Sequence, residues 1–466
     1  MKRMLALVAV CGIGWLSLAV AFSPAASEQP TNRPASEKLI VHEWGTFTGF
    51  AGSDGVHIPF GTAPGNDLPA FVMTRREQAP RLDPKIDAFS LIDWGKGGGA
   101  VALQRMETPV VYFYTAEPRD VTVAVDFPQG LLTEFYPPVR KMSPAFGYAP
   151  GELGARRRDG SPTTQPIPKV AKLDGGSLDW GRVRIIPQVA GERPAHMPEV
   201  PKPPAGAAAA LNLARHYEYA RETDAATVQF SDRPGEQHEE RFLFYRGLGD
   251  FTLPITLTSR DDDHFEMNAA AEQPIPFAIL LRIADGRARF AIYTDITGRQ
   301  SLTLPAETVS PDQVGDTLIR ALMSQGLFEK EARAMVKTWS SNWLGDAGTR
   351  LLYAVPRPIT DALLPLHISP QPDETVRVMI GRIDVLTPSQ EAKIVSLLST
   401  SIEPNTAMAP EDVACLRNLG RFLDPALERA AKLRLSADSK RETSTLRWRF
   451  WNAPKPEQPA AVSAPH

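Results

Sequence analysis

The stretch FAILLRIADGRARFAIYTD, residues 277–295, indicates the fold class of this chain most clearly. It contains two runs rich in apolar, β-branched and aromatic residues, joined by Asp285-Gly286, a pair typical of a two-residue hairpin turn. Similar runs occur upstream at 110–114 and 121–125, where a Glu-Pro-Arg-Asp turn separates two strands of a hairpin or of a sandwich. The sequence therefore predicts a chain built mainly from short β-strands.

Helix signals are concentrated in the C-terminal third of the chain. SPDQ at residues 310–313 and TPSQ at residues 387–390 each combine an N-cap hydroxyl, a first-turn proline and a glutamine three residues after the cap. These are the residues of a capping box. We expect the first helix to end near Gly326, the second to end near residue 399, and two more short helices within 410–435.

Together these patterns predict an α+β fold. Proline accounts for 43 of 466 residues, well above the usual ~5%, and we expect it in turns and at strand edges. The predicted segments are a β-rich, sandwich-like body (38–306) with a Pro/Gly-rich excursion near 151–204, a mixed α/β and helical segment (307–435), and a disordered tail (452–466).

The N-terminus has the features of an export signal. A positively charged start is followed by an apolar run from residue 4 to residue 22, with an A-x-A motif at 19–21. This pattern predicts a signal peptide over 1–21 and a periplasmic or secreted protein, with a disordered linker over 22–37. The alternative is an inner-membrane anchor through the same apolar run, and we expect membrane contact only in that case.

Charge and cysteine content exclude several classes of protein. The formal net charge of −3 argues against nucleic acid as a partner. If residues 1–21 are removed, Cys415 is the only cysteine left, so no intramolecular disulfide can form. We expect Cys415 to be a small apolar residue on the inner face of a helix.

The densest group of reactive residues lies in VHEWGTFT, residues 41–48. Neighbouring strand residues point to opposite faces, so His42 and Glu43 form one dyad only if a bulge or turn at Gly45 intervenes. The alternative is a structural strand in which Trp44 lies in the core and His42 pairs with a buried polar group.

The same histidine is one of several potential metal ligands. Imidazole groups suit zinc and related ions, and His42 could act with one of four other histidines. No pair among them has a helical or strand spacing, so the metal content and the cofactor stay unknown at this point. The four are His57, His216, His238 and His264.

Two further positions complete the candidate site. Glu107 and Glu134 lie beside aromatic strand residues. This pattern is consistent with the paired carboxylates of a glycosidase. It is equally consistent with ordinary core and rim positions. Arg246 follows the strand sequence FLFY, where a guanidinium can bind a carboxylate or phosphate. It could equally pair with Glu43, Glu107 or Glu134 in a structural role.

Several longer segments carry a resemblance. VHEWGTFTGFAGSDG, METPVVYFYT, ARHYEYARETDAA, RFLFYRGLG and VRVMIGRIDVLTPSQE resemble a family of uncharacterised exported bacterial proteins. The match spans most of residues 39–398. It implies export and a single co-folding unit, but it brings no activity, cofactor or catalytic residue.

Two functional hypotheses follow. The first is a non-catalytic envelope protein that binds an unknown small molecule, glycan or envelope protein through its loops and clefts. The second is a periplasmic hydrolase, with or without a metal, that uses His42 and Glu43 with Arg246 and either Glu107 or another nearby carboxylate. The second hypothesis requires these side chains to converge in space.

Overall fold

The computed structural model describes most of the chain from Lys38 to Ala453. The predicted signal peptide (1–21) and linker (22–37) lie outside the described residues, as do parts of the excursion and all of the tail beyond Ala453. The described ranges are 38–61, 68–84, 101–144, 173–189, 191–201, 215–270, 272–400, 407–436 and 438–453.

Strands and helices follow one another in irregular order along these ranges. The strands are β1 Ile40–Ala51, β2 Phe60–Gly61, β3 Met73–Thr74, β4 Val101–Ala102, β5 Gln104–Tyr114, β6 Arg119–Phe127, β7 Leu131–Tyr136, β8 Lys141–Ser143, β9 Gly176–Ile186, β10 Thr227–Phe230, β11 His238–Glu240, β12 Leu243–Gly249, β13 Ile255–Ser259, β14 His264–Ala269, β15 Ile275–Ala284, β16 Arg287–Ile296, β17 Gly298–Thr303, β18 Gly348–Val355, β19 Leu366–Ser369 and β20 Glu374–Val385. The helices are α1 Arg75–Leu82, α2 Arg215–Tyr219, α3 Pro311–Ser324, α4 Glu329–Ser340, α5 Arg357–Leu363, α6 Pro388–Thr400, α7 Pro410–Arg417, α8 Leu423–Arg434 and α9 Ser439–Trp451.

The main sheet has nine strands in the order β16-β15-β18-β20-β1-β5-β12-β7-β3. Strand β1 lies in its middle, parallel to β20 and antiparallel to β5. A second sheet has the order β11-β10-β9-β6-β19, with β8 also paired to β9. Helices and strands are both abundant but not alternating, so the fold is α+β, as the sequence predicts.

The nine-stranded sheet is covered on both faces. One face shares a core with the six-stranded sheet, and this core includes Phe47, Val111, Val123 and Trp180. The other face packs against α3 and α4 through a core that includes Trp44, Ile279, Leu318 and Met335. A smaller core joins Phe50 and Phe60 to α6 and α8. The two sheets therefore form a sandwich, and helices cover the other face of the main sheet.

Local signals correspond closely to the observed elements. Asp285 and Gly286 both have positive φ, 50° and 69°, and they join β15 to β16 in the predicted hairpin. Such angles at both central residues define a type I′ turn, which glycine adopts without strain. The predicted strands at 110–114 and 121–125 fall in different sheets, so they form a sandwich pair and not a hairpin.

The helix caps are also as predicted. Ser310 accepts from the Gln313 amide while the Gln313 side chain accepts from the Ser310 amide, and Thr387 and Gln390 do the same at α6. Helix α3 ends at Ser324, next to the predicted stop. Helix α9 is not among the predicted helices, because its first turns are polar and carry little apolar periodicity; its buried Leu446 packs into the C-terminal core.

Strands from both predicted segments share the main sheet. Strands β18 and β20, which belong to the segment 307–435, lie between β15 and β1 of the segment 38–306. Twelve residue pairs join β1 to β20 in parallel register, from Ile40 opposite Glu374 to Ala51 opposite Val385. Within the described part of the chain, no helix is long and apolar enough to cross a membrane.

Candidate functional site

His42 lies on the helix-covered face of β1 and is fully buried. Its Nδ1 is 2.7 Å from Oε2 of Glu331 on α4. The Tyr114 hydroxyl donates to the other oxygen of the same carboxylate at 2.6 Å, and the Phe328 amide donates to Oε2 at 2.8 Å. His42 thus pairs with a buried polar group and connects α4 to the sheet.

Glu43 points to the opposite face of the same strand. Its carboxylate accepts hydrogen bonds from the Tyr245 hydroxyl and from Nε of Arg377, the latter at 2.5 Å. Arg377 also donates to Asp361 at 2.7 Å. Burial lowers the pKa of Arg377, but the neighbouring Glu43 carboxylate outweighs that effect and raises it overall. Arg377 therefore keeps its positive charge inside the sandwich core.

The register of β1 does shift between Trp44 and Thr46. That irregularity lies after both His42 and Glu43, so it does not bring their side chains to one face. Trp44 is fully buried and its ring lies 6.0 Å from that of Tyr112. The strand therefore has the features of a structural strand, with Trp44 in the core and His42 paired with a buried polar group.

Glu107 belongs to a different cluster. It accepts from the Thr48 hydroxyl at 2.8 Å and from Arg421 Nη1 at 2.7 Å, and Arg105 Nε is 3.7 Å away. Burial by itself would raise the pKa of Glu107, but Arg421 and Arg105 lower it to about 2. Glu107 is therefore a permanently ionised structural carboxylate at neutral pH.

Arg246 pairs with Glu134, one of the three carboxylates that the sequence suggested. Its Nη2 is 2.9 Å from Glu134 Oε1, and both side chains are almost fully buried. Burial lowers the pKa of Arg105, which interacts electrostatically with Glu107, Arg246 and Glu134. Glu107 and Arg246 thus share one charged network, whereas His42 and Glu43 belong to two other clusters, and the four side chains do not form one site.

A polar cleft opens on the outer face of the six-stranded sheet. It encloses about 700 Å³. Arg182 and Arg184 are two residues apart on β9, so both side chains lie on the exposed face of the strand and line the cleft. Arg140 lies on the same wall, with its guanidinium 5.2 Å from the centre of the Phe230 ring. Three guanidinium groups therefore surround the cleft.

The arginines differ in how far they are already paired. Arg184 lies 3.5 Å from Asp120, and Arg140 donates to the Ser231 carbonyl at 2.5 Å. Arg182 has no ion-pair or hydrogen-bond partner among the residues that the structure describes. An exposed guanidinium beside two others can bind a carboxylate, sulfate or phosphate group through two parallel hydrogen bonds.

A second group of side chains lies where the β10–β11 loop meets this cleft. Asp232, Glu236 and His238 each offer one ligand atom, and these atoms lie within 4.8 Å of one another. Arg81 of α1 donates to Asp232 Oδ2 at 2.8 Å and also contacts Glu236. His238 is among the candidate metal ligands named from the sequence, whereas Asp232 and Glu236 are not. The spacing of these two carboxylates and His238 in the loop sequence SDRPGEQH could have indicated the group.

The other histidines considered as metal ligands are dispersed. His264 pairs with Asp261 at 2.9 Å on an exposed strand, and His57 lines an apolar groove of about 650 Å³. His216 lies on α2, where its carbonyl accepts from Thr338. In the described ranges, His238 is the histidine that belongs to a group of three candidate ligands.

Cys415 differs in part from the expectation. On α7 the buried residues are Val413 and Leu416, and Cys415 is partly exposed beside them. Burial nevertheless raises the pKa of the Cys415 thiol. A protonated thiol is a poor nucleophile, so Cys415 adds nothing to the candidate site.

Comparison with known proteins gives no match. No protein-family model matches the chain, and no curated protein is similar to it at a significant level. The residues of the cleft themselves are therefore the basis for inferring a function. Their chemistry combines exposed cations, an aromatic ring and a group of potential metal ligands.

Proposed function

We propose that this chain is an exported binding protein whose cleft on the six-stranded sheet takes an anionic ligand. The observation that supports it is Arg182, an exposed guanidinium without a partner among the described residues, beside Arg184 and Arg140 in an open volume of about 700 Å³. That volume is typical of small-molecule sites. A small molecule or a segment of an acidic glycan would fit.

The acidic side chains near the cleft do not cancel this preference. Glu236 lines the cleft, but its carboxylate is already paired with Arg81. Glu239 is buried, and its oxygens accept from Gln229 Nε2 at 2.6 Å and from the His196 amide at 2.8 Å. Its carboxylate is therefore already engaged by hydrogen-bond donors of the protein. Asp120 contacts Arg184 only at 3.5 Å, so an incoming anion can displace that exposed pair at little cost.

The binding hypothesis is also favoured over the hydrolase hypothesis. His42, Glu43 and Glu107 are each buried and each engaged by a separate set of partners. A general acid or base must come within hydrogen-bonding distance of its substrate. These positions offer no such access in the described structure, whereas the arginines of the cleft are exposed.

Export is part of the proposal and rests on the N-terminal pattern. The positive start, the apolar run and the A-x-A motif precede residue 38, where the described structure begins. The ligand would then be met in the periplasm or outside the cell. Sugar acids, sulfated or phosphorylated sugars and other carboxylates share the chemistry that three guanidinium groups recognise.

The test is a titration with matched charged and neutral ligands. We expect oligogalacturonate, citrate or inorganic phosphate to bind the full-length protein, and neutral malto-oligosaccharides to bind much more weakly, by calorimetry. Arg182→Gln should lower the affinity for the anion about 10- to 100-fold, since a charge-assisted hydrogen bond contributes about 1.5–3 kcal/mol. Higher salt should weaken it further.

The control is Arg299→Gln. Arg299 is exposed on β17 and pairs with Glu266 at 3.3 Å, away from the cleft lining, so its loss should leave anion binding unchanged. The proposal fails if no anionic probe binds, or if Arg182→Gln and Arg184→Gln together leave the affinity at the level of the unmodified chain.

A further inference from the structure

Three potential metal-ligand atoms lie close together where the β10–β11 loop enters β11. Nε2 of His238 lies 3.6 Å from Oδ1 of Asp232 and 3.9 Å from Oε2 of Glu236. A metal ion about 2.0–2.2 Å from each of two ligands separates those ligands by roughly 3.3–3.6 Å at tetrahedral angles. The imidazole and the Asp232 carboxylate already have that separation.

Both of these atoms lack a hydrogen bond. Asp232 Oδ1 and His238 Nε2 are buried and have no hydrogen-bond partner within the described ranges. The Asp232 side chain is more than nine-tenths buried. A buried polar atom without a partner costs about 1–3 kcal/mol, so an ion that binds both atoms would remove an unfavourable feature of the loop.

The second nitrogen of the imidazole supports the same assignment. Nδ1 of His238 is 3.4 Å from the Tyr136 hydroxyl, so a proton on Nδ1 can be donated to that oxygen while Nε2 keeps its lone pair. Metal-bound histidines commonly hold their other nitrogen in this way.

The formal charge of the group is negative and therefore favours a bound cation. Asp232 and Glu236 contribute two negative charges, and Arg81 contributes one positive charge through Asp232 Oδ2 and Glu236. Asp232 can therefore keep Arg81 on Oδ2 while Oδ1 binds an ion. The Glu236 side chain is 42% exposed and can turn from Arg81 toward the same point.

We propose that Asp232, Glu236 and His238 form a binding site for a divalent transition-metal ion of the Zn²⁺ type. One imidazole and two carboxylates are ligands that zinc accepts, and the open cleft leaves a fourth position for water or a ligand. Glu236 and His238 also line the cleft. The site stands on its own contacts and does not depend on anion binding by the arginines.

The experiment is a metal titration of the full-length protein after removal of metals by chelation. We expect one equivalent of Zn²⁺ by calorimetry, and one equivalent of Co²⁺ with the visible absorption of a tetrahedral ion. His238→Ala and Glu236→Gln should each weaken Zn²⁺ binding by at least about 100-fold, since removing even an outer-shell partner of a metal ligand costs about 10- to 100-fold. His264→Ala removes a histidine from an exposed His-Asp pair that has no third ligand among the described residues, so it should leave Zn²⁺ binding unchanged.

Absence of stoichiometric Zn²⁺ and Co²⁺ binding would overturn the proposal, as would equal Zn²⁺ affinity in His238→Ala and the unmodified chain. If His238→Ala does not fold, Glu236→Gln decides, because the Glu236 side chain is 42% exposed and its replacement disturbs the packing less. Anion titration of the metal-free protein separates the two proposals. If Arg182→Gln loses anion binding but keeps normal Zn²⁺ affinity, the result bears only on the anion site. If His238→Ala loses Zn²⁺ binding but keeps normal anion affinity, the result bears only on the metal site.

Discussion

Replacing Glu107 by glutamine removes one charge from the buried network of the main sheet while nearly preserving its shape. Glu107 is held by Arg421 at 2.7 Å and by the Thr48 hydroxyl at 2.8 Å. The amide introduced by Glu107→Gln could still accept one hydrogen bond. It could not neutralise Arg421 and Arg105, which would remain buried beside it.

The size of the effect follows from the pKa. The carboxyl has a usual pKa of 4.5, which its surroundings lower to about 2. One pKa unit corresponds to ~1.4 kcal/mol, so the ionised form contributes about 3 kcal/mol to stability at pH 7. Removing one partner of a buried ion pair costs about 3–5 kcal/mol by mutation, which is consistent with that value.

The pH dependence has a definite sign. Because the folded-state pKa is lower than the unfolded one, the contribution is fully present above about pH 5. It is lost progressively as the pH falls toward the folded pKa of about 2. The unmodified chain should therefore exceed Glu107→Gln in stability by about 3 kcal/mol at pH 7, with the difference shrinking below about pH 5.

The assay is urea denaturation at intervals from about pH 7 to about pH 3, with free energies of unfolding compared between the two proteins. Glu307→Gln is the control, because Glu307 is exposed and its replacement should alter stability by no more than about 0.5 kcal/mol at any pH. A stability difference that stays constant across this pH range would refute the reasoning about Glu107.

Three other predictions concern single features. Trp44→Ala should lower the free energy of unfolding by about 3–5 kcal/mol, since Trp44 is fully buried; calorimetric melting tests this, and a loss under about 1 kcal/mol would contradict it. Cys415 should react slowly with a thiol reagent at neutral pH, because burial raises its pKa, and rapid native labelling would show a thiolate. The exported protein should begin at Phe22 by mass spectrometry, whereas an intact Met1 in membranes would indicate an anchor.

Features that depend on neighbouring residues could be predicted from the sequence. The β15–β16 hairpin follows from Asp285-Gly286, whose positive φ angles select a type I′ turn. The starts of α3 and α6 follow from capping boxes that close within four residues. The opposite directions of His42 and Glu43 follow from strand alternation.

Other features could not be predicted because their determinants lie far apart along the chain. Helix α9 is polar at its start and is stabilised by packing of Leu446 in the C-terminal core. The Pro/Gly-rich excursion contributes β9, whose alternating Arg182 and Arg184 form the cleft only where β6 and β10 pair with it. Local patterns do not specify which distant strands become neighbours in a sheet.

The sequence by itself determines the α+β class, the β15–β16 hairpin and the helix caps, because turn angles and side-chain periodicity depend on residues only a few positions apart. Which charges meet depends instead on the packing of the whole chain. Glu43 and Arg377 are 334 positions apart, and Arg81 reaches Asp232 across 151 positions. Such contacts arise only after sheets and helices have packed, since their geometry is set by the alignment of distant strands and not by any neighbouring residue.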